Sequence, residues 1–288
     1  MSRPRGFIEG WVPKPQTFRL INQVQSIIDD NSDILPLTLR QIFYMLVSNY
    51  DFDKTERDYK RLCEIMNKAR RAQMIDMDVI RDDGLRRDDP YFWNSEEHLI
   101  RIYKSSAQGF RLDRQRDQMT RIMVWCEAGG MLPQLVNYCE EYGVSVLSSG
   151  GFDSVTTKHD IAKEISDHDA VEILHIGDHD PSGVHMHNSL DEDLNAFIAY
   201  YGGSVEVTRL AVTPHQVDYM NLPTAPPKRT DNRSFVGLTT QAEAIPPRRL
   251  KEIVQAAILD RMDMDAYEEV LEQEREIRAS LAERLENL

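Results

Sequence analysis

Three groups of residues could act together on a phosphate. The stretch "LTLRQIFYMLVSNY" (37–50) places Tyr44 four residues after Arg40. At helical spacing the two side chains are neighbours on one face. A phenol, with a pKa of about 10, is a poor nucleophile at neutral pH and needs a base or a cation beside it. Arg40 could hold a phosphate oxygen and favour the phenolate. The second group is Glu127, which ends the apolar run "RIMVWC". The third is Asp178 and Asp180 in "GDHDPSG", which leave another apolar run on the same side of the chain before Pro181 and Gly183 turn it away. Three hard oxygen donors suit Mg²⁺, with Mn²⁺ as an alternative. A metal there would stabilise charge developing on a phosphodiester. Each acid also has a plainer role available, as a helix N-cap or a solvated turn residue. His179, His185 and His187 lie close by, but i,i+2 positions of a helix diverge, which favours hydrogen-bonding histidines over a zinc site.

The elements that must position these groups follow from apolar periodicity. Phe18, Ile21, Val24 and Ile27/Ile28 predict a helix over 16–30. A second helix is expected from Thr38 to about Asn49, where Thr38 and Gln41 have capping-box spacing. A third runs from about Glu56 to Gln73 with Arg61, Lys68, Arg70 and Arg71 as its basic face, followed by a strand-like stretch ending at Gly84. Three helices and a strand-like hairpin have the order of a winged helix-turn-helix. On a helical wheel, Leu39, Ile42, Phe43, Met45, Leu46, Val47 and Tyr50 share an apolar arc, while Arg40, Gln41, Tyr44 and Ser48 lie on the other face. Tyr44 is therefore expected off the core stripe. Residues 90–118 read as a connecting helix or linker.

Beyond about residue 120 the pattern changes. Apolar runs at 122–126, 144–149, 170–176 and 205–212 alternate with helical segments, as in a largely parallel, helix-covered sheet. In such sheets functional groups collect beyond the carboxyl ends of the strands, where Glu127, Asp178 and Asp180 fall. The fold class is thus α/β, α+β overall, in three parts: 1–112 helical, 113–260 sheet-bearing, and a charged helical tail over 261–288.

The net charge of −14 argues against indiscriminate nucleic-acid binding. It is uneven. Residues 1–122 carry 21 Lys and Arg against 19 Asp and Glu, and the remainder carries 13 against 29. The first part can therefore still present a local basic face to phosphates. Three cysteines with no CxxC or Cys/His spacing point to a reducing compartment and away from structural zinc. No run approaches the roughly 20 apolar residues of a membrane span, and the start "MSRPRGFIEG" lacks a signal peptide's apolar stretch.

Glu after the first strand and Asp-x-Asp after the third resemble a Toprim domain, the metal-binding module of topoisomerases and some primases and nucleases. "LTLRQIFYMLVSN" resembles the Arg-x-x-x-Tyr helix of the topoisomerase VI A subunit and its meiotic double-strand-break relative, in which a winged helix precedes a Toprim domain. "GGFDSVTTKHDIAKEI" resembles that family's glycine–acid–Thr–basic stretch, with Lys158 where an arginine is usual. "GDHDPSG" resembles its Asp-x-Asp-Pro-x-Gly, and "RLAVTPHQVDYMNLP" its segment after the Toprim domain. These matches cover roughly residues 20–225 in the family's order. The short chain resembles the compact "mini-A" type of bacteria and their viruses.

The resemblance implies a DNA-cleaving transesterase related to type IIB topoisomerases. Tyr44 would be the nucleophile and Arg40 its cation. Glu127 would move protons or share a metal, and Asp178 and Asp180 would hold Mg²⁺. Arg61, Lys68, Arg70, Arg71 and Lys158 would contact duplex DNA. A 5′-phosphotyrosine link and a homodimer, whose acids act on the partner's Tyr44, are implied in the same way. No ATP-binding motif appears, and a B-type ATPase subunit is not evident as a partner. The expected location is cytoplasmic, nucleoid-associated in a bacterium or viral in a bacterial host. Two other readings stay open: a hydrolytic Toprim nuclease, and a non-catalytic DNA-binding protein.

Overall fold

The computed structural model describes residues 6–81, 92–148, 155–228, 231 and 233–286. Helix α1 (Pro15–Asp30) buries Leu20, Ile21, Val24, Ile27 and Ile28 and leaves Phe18 exposed, so its apolar face is narrower at the start than the spacing predicts. The two-residue strand β1 (Leu37–Thr38) leads into α2 (Leu39–Asn49). The predicted capping box is present: Thr38 accepts from the Gln41 amide, and Gln41 Oε1 accepts from the Thr38 amide at 2.9 Å. Two orphan donors at the helix start are thereby satisfied. Helix α3 (Glu56–Arg71) is capped by Thr55 and packs on α1 and α2.

The strand expected to end at Gly84 is shorter within the described residues. It is β2 (Ile80–Arg81), paired parallel to β1, and Gly84 lies outside the described residues. Before β2 the chain turns, because Asp76 Oδ1 accepts from the Asp78 amide and competes with an extended backbone. Helix α4 (Glu96–Gln108), capped by Ser95, fills part of the expected linker.

The second half is a four-stranded parallel sheet. Its strands are β3 (Arg121–Cys126), β4 (Ser145–Ser148), β5 (Ala170–Ile176) and β6 (Ser204–Ala211), in spatial order β4-β3-β5-β6. Helices α5 (Leu132–Cys139), α6 (Val155–Ile165) and α7 (Pro181–Tyr201) are the crossovers. Short α8 (Pro214–Tyr219), then α9 (Pro247–Leu259) and α10 (Met264–Glu286) complete the chain. The mixed α/β class is as expected.

Both faces of the sheet are covered. Met123, Trp125, Ile173 and Val205 pack with Leu190, Leu194 and Ile198 of α7 and with Ala162 and Ile165 of α6. Ile122, Val124, Leu174 and Ile176 face the other way and join Leu135, Tyr138, Leu250 and Val254. That second cluster runs without a break into Ile21, Val24, Ile42, Leu46 and Leu62 of the first half. The helical part and the sheet therefore share one core, across the expected boundary at 112.

The charged end of the chain is a packing helix. Along α10, Tyr267 and Val270 are buried, and the helix lies against α4. Glu274, 2% exposed, accepts from the Leu112 amide at 3.0 Å, from Arg114 at 3.1 Å and from Arg278 at 2.5 Å. Despite burial, these donors hold its carboxyl below the usual range. Glu274→Ala strands two guanidinium partners and is expected to cost about 2 kcal/mol in urea unfolding.

Candidate active site

In spatial order β4-β3-β5-β6, the chain moves from β3 to one neighbour and then returns to β5 on the other side. The crevice beyond the carboxyl ends of β3 and β5 is the switch point at which open α/β sheets bind ligands. Glu127 follows β3 there, and Asp178 and Asp180 follow β5. Their backbones are locked together. The Glu127 amide donates to Ile176 O, and Gly177 exchanges bonds with Ala211 and Val212 across an irregularity in the β5–β6 register.

Close approach explains the two glycines. A Cβ on Gly177 would sit 2.4 Å from Glu127 Cδ, and one on Gly183 would sit 2.2 Å from Asp178 O. Arg209, near the end of β6, donates to the carbonyls of Gly177 (3.0 Å), Gly183 (3.1 Å), Val212 (3.1 Å) and Asp178 (2.5 Å). It ties the turn that bears Asp178 and Asp180 to the end of β6. The sequence offered one signal for it, a charge near the end of an apolar strand.

The three carboxylates are not alike. Glu127 is buried, and burial pushes its pKa up to about 7 against the opposing charge of Arg209. Its Oε2 accepts from the Asp178 amide at 3.3 Å. Its Oε1 receives no well-aligned hydrogen bond among the described residues. His175 Nε2 is 3.1 Å from that oxygen. Burial first, then Arg209, lowers the His175 pKa to about 3, so the imidazole is neutral and the contact is no ion pair. His187, lowered to about 4 by burial and by His175, sits with its ring 4.9 Å from that of His175. Asp178 is pushed up to about 6 by burial, with Asp180 and Glu127 adding repulsion, and its Oδ1 accepts from the Ala242 amide at 2.8 Å. Asp180 caps α7, accepting from the Gly183 amide at 2.7 Å.

Among the described residues, no three His, Cys, Asp or Glu side chains stand ready-arranged around a metal position. The donor set nevertheless suits a hard divalent cation. It is all oxygen, and the charge of Asp180 raises the pKa of both Glu127 and Asp178, a repulsion that a bound cation would relieve.

Tyr44 departs from the sequence expectation. It is 4% exposed and belongs to the core, edge-on to Phe43 at 5.4 Å. The helical wheel fails here because α2 is covered on two sides. Its apolar face meets α1 and α3, and its polar face meets the turn at Ala242–Ala244. On that face Gln41 also is buried, donating to Gln134. The Tyr44 hydroxyl donates to Gln241 Oε1, which also accepts from Arg40 Nη1 at 3.0 Å. Arg40 favours the phenolate, as expected, but burial outweighs it. The phenol's pKa is raised well above the ordinary value, and Glu243 and Asp178 add to the rise. Lys54, unnoticed in the sequence, places Nζ 5.5 Å from the Tyr44 ring centre.

Tyr44, Arg40, Lys54, Asp180 and Gln241 open on one cavity of about 370 Å³. The chain matches no protein-family model and no curated protein. The site's chemistry therefore rests on its own geometry.

The expected DNA-contacting residues fall into three sets. Arg61 and Lys68 are exposed on α3. Arg70 and Arg71 are half-buried: Arg70 donates to Met77 O, and Arg71 to Asn67 and Gly6 O. Lys158 does not lie open to a nucleic acid. It is 6% exposed, with Nζ 2.8 Å from Ser189 Oγ and 2.7 Å from Asp193 Oδ2, tying α6 to α7. A basic residue in a resembling motif has here become a bolt between two helices. Lys158→Ala is expected to lower stability by about 2 kcal/mol in thermal unfolding and to leave duplex affinity unchanged.

Proposed function

We propose that this chain is a DNA-cleaving transesterase, with a winged helix-turn-helix ahead of a Toprim-like domain, in which Tyr44 attacks a phosphodiester. One observation carries this reading: a tyrosine, a guanidinium and Asp180, one of the acids of the sheet's switch point, line a single cavity. The cavity suits a phosphodiester and its neighbouring sugars, with the duplex lying over its mouth along Arg61 and Lys68 of α3. Arg40 and Lys54 orient the phosphate and offset its charge. The Tyr44 oxygen forms a bond to phosphorus as the bond to the 3′ oxygen breaks. The phenol proton passes to a carboxylate, and the departing 3′ oxygen takes up a proton. The products are a 5′-phosphotyrosine and a 3′-hydroxyl, and the retained phosphoester allows religation. A carboxylate with a pKa of about 7, such as Glu127, is matched to proton transfer at neutral pH. Glu127, Asp178 and Asp180 would hold Mg²⁺ or Mn²⁺, which supplies electrostatic stabilisation of the phosphoryl oxygens.

A double-strand break needs two tyrosines, so the proposal includes a homodimer; the resemblance implies that one chain's acids serve the other's Tyr44, although Asp180 also lines the Tyr44 cavity of its own chain. Mixing Tyr44→Phe chains with Asp178→Ala chains is expected to restore covalent adduct that neither forms alone. Failure to restore it would place both halves of the site in one chain, where Asp178 already acts electrostatically on Tyr44.

A second reading, metal-dependent hydrolysis by water, is favoured by one observation: the Tyr44 hydroxyl is engaged by Gln241 and held protonated. Incubation with supercoiled DNA and Mg²⁺ or Mn²⁺, stopped with denaturant, separates the two. Protein-linked ends support the transesterase, and free ends that persist in Tyr44→Phe but vanish in Asp178→Ala support the nuclease.

A further inference from the structure

The groups assigned above to a phosphodiester are already bridged by one oxygen. Gln241 Oε1 accepts from Arg40 Nη1 at 3.0 Å and from the Tyr44 hydroxyl. An amide oxygen carries partial negative charge and accepts two hydrogen bonds, as a phosphate oxygen does. Gln241 is held in place by its neighbours. Thr239 and Ala225 exchange backbone bonds, as do Thr240 and His179. The next residue, Ala242, donates to Asp178 Oδ1 at 2.8 Å. Thr240 and Ala242 are buried. Thr240 Oγ1 and Lys54 Nζ both donate to Pro223 O, at 2.7 Å each, which ties the strap's far side to the cavity wall. Consecutive residues of one short strap, Thr240, Gln241 and Ala242, thus engage His179 and Pro223, the nucleophile with its cation, and a carboxylate.

We propose that Gln241 occupies the phosphate-oxygen subsite on Arg40 and Tyr44, and that a phosphodiester enters by displacing it. The inference rests on the reading of this cavity as the phosphodiester site, and it adds a residue remote in sequence that competes with substrate. An unliganded chain keeps its tyrosine engaged. A bound backbone takes over the two hydrogen bonds and frees the strap. Binding energy is thereby diverted from affinity into uncovering the nucleophile.

The test measures affinity for a short fluorescent DNA duplex in the presence of a chelator, with inorganic phosphate as competitor. Gln241→Ala removes the competing oxygen and is expected to bind about tenfold more tightly. Gln241→Glu places a full negative charge against Arg40 and is expected to bind about tenfold more weakly. Both effects should shrink markedly in an Arg40→Ala background, where the guanidinium that Gln241 contests is gone. Unchanged affinity in Gln241→Ala and Gln241→Glu overturns the proposal. If Gln241→Ala does not fold, the Gln241→Glu result and its dependence on Arg40 decide alone. The adduct assay keeps the two ideas apart. Affinities that shift as expected with no adduct in any variant retain the subsite and remove the transesterase. Adduct from the unaltered chain and from both Gln241 single variants, with equal affinities, retains the transesterase and removes the subsite.

Discussion

Replacement of Tyr44 by phenylalanine is expected to abolish covalent protein–DNA adduct, a loss of at least about 10³-fold, with the fold retained. The ring is the structural part of this residue. It is buried against Phe43 and Lys54, and phenylalanine preserves that packing. In the proposed reaction the hydroxyl is the chemical part. Its removal leaves Gln241 Oε1 still bonded to Arg40, so no buried group is stranded, and the stability change should stay within about 1 kcal/mol. The assay is denaturing electrophoresis of end-labelled DNA after incubation with Mg²⁺, alongside urea unfolding of both proteins. Adduct that survives in Tyr44→Phe removes Tyr44 from the mechanism. A large stability loss would show that the hydroxyl, rather than the ring, anchors the strap at 239–242.

The second large effect is expected at Glu127, where stability and activity should move in opposite directions. The folded chain holds this carboxyl's pKa at about 7, against an ordinary 4.5. Between these values the folded chain keeps a proton that the unfolded chain has released. The group's favourable contribution is therefore full below pH of about 4.5 and is lost as pH rises through about 7. The difference corresponds to about 3 kcal/mol. Asp178, pushed up to about 6 from 3.8, works in the same direction. Glu127→Gln removes one of the two liabilities. It should stabilise the chain by up to about 3 kcal/mol at pH 8 and by almost nothing at pH 4, while cleavage is lost. Urea unfolding in chelator at the two pH values measures this. Adding Mg²⁺ at pH 8 should restore stability to the unaltered chain and do less for Glu127→Gln, since a bound cation stabilises the ionised carboxylates. Parallel pH profiles for the two proteins would mean that Glu127 ionises in the folded chain without cost.

These two residues also show how far sequence reasoning reached. Glu127 was located because an acid after an apolar run, in a strand–helix alternation, must emerge at the carboxyl edge of a parallel sheet. The Thr38–Gln41 capping box was legible because its hydrogen bonds join residues three apart. Tyr44 was placed correctly on its helix but on the wrong side of the core boundary. The wheel records periodicity along one helix and contains nothing about a turn two hundred residues later that closes over the polar face. Lys158 shows the same limit, since a lysine facing solvent and a lysine buried against Ser189 and Asp193 have the same local sequence.

The sequence by itself determined the mixed α/β class, the helix starts, the apolar runs that became strands and the acids that end two of them. All of these depend on contacts between near neighbours or on alternation along one segment, which the order of residues states directly. Only the tertiary structure decided that β3 and β5 lie side by side, so that Glu127 and Asp178 meet, and that Arg209 ties down the turn bearing Asp178. Only it placed Gln241 between Arg40 and Tyr44. Those contacts join residues from about 30 to about 200 positions apart. Whether they form depends on how whole layers pack into one core, and neither spacing nor composition encodes that separately from the fold.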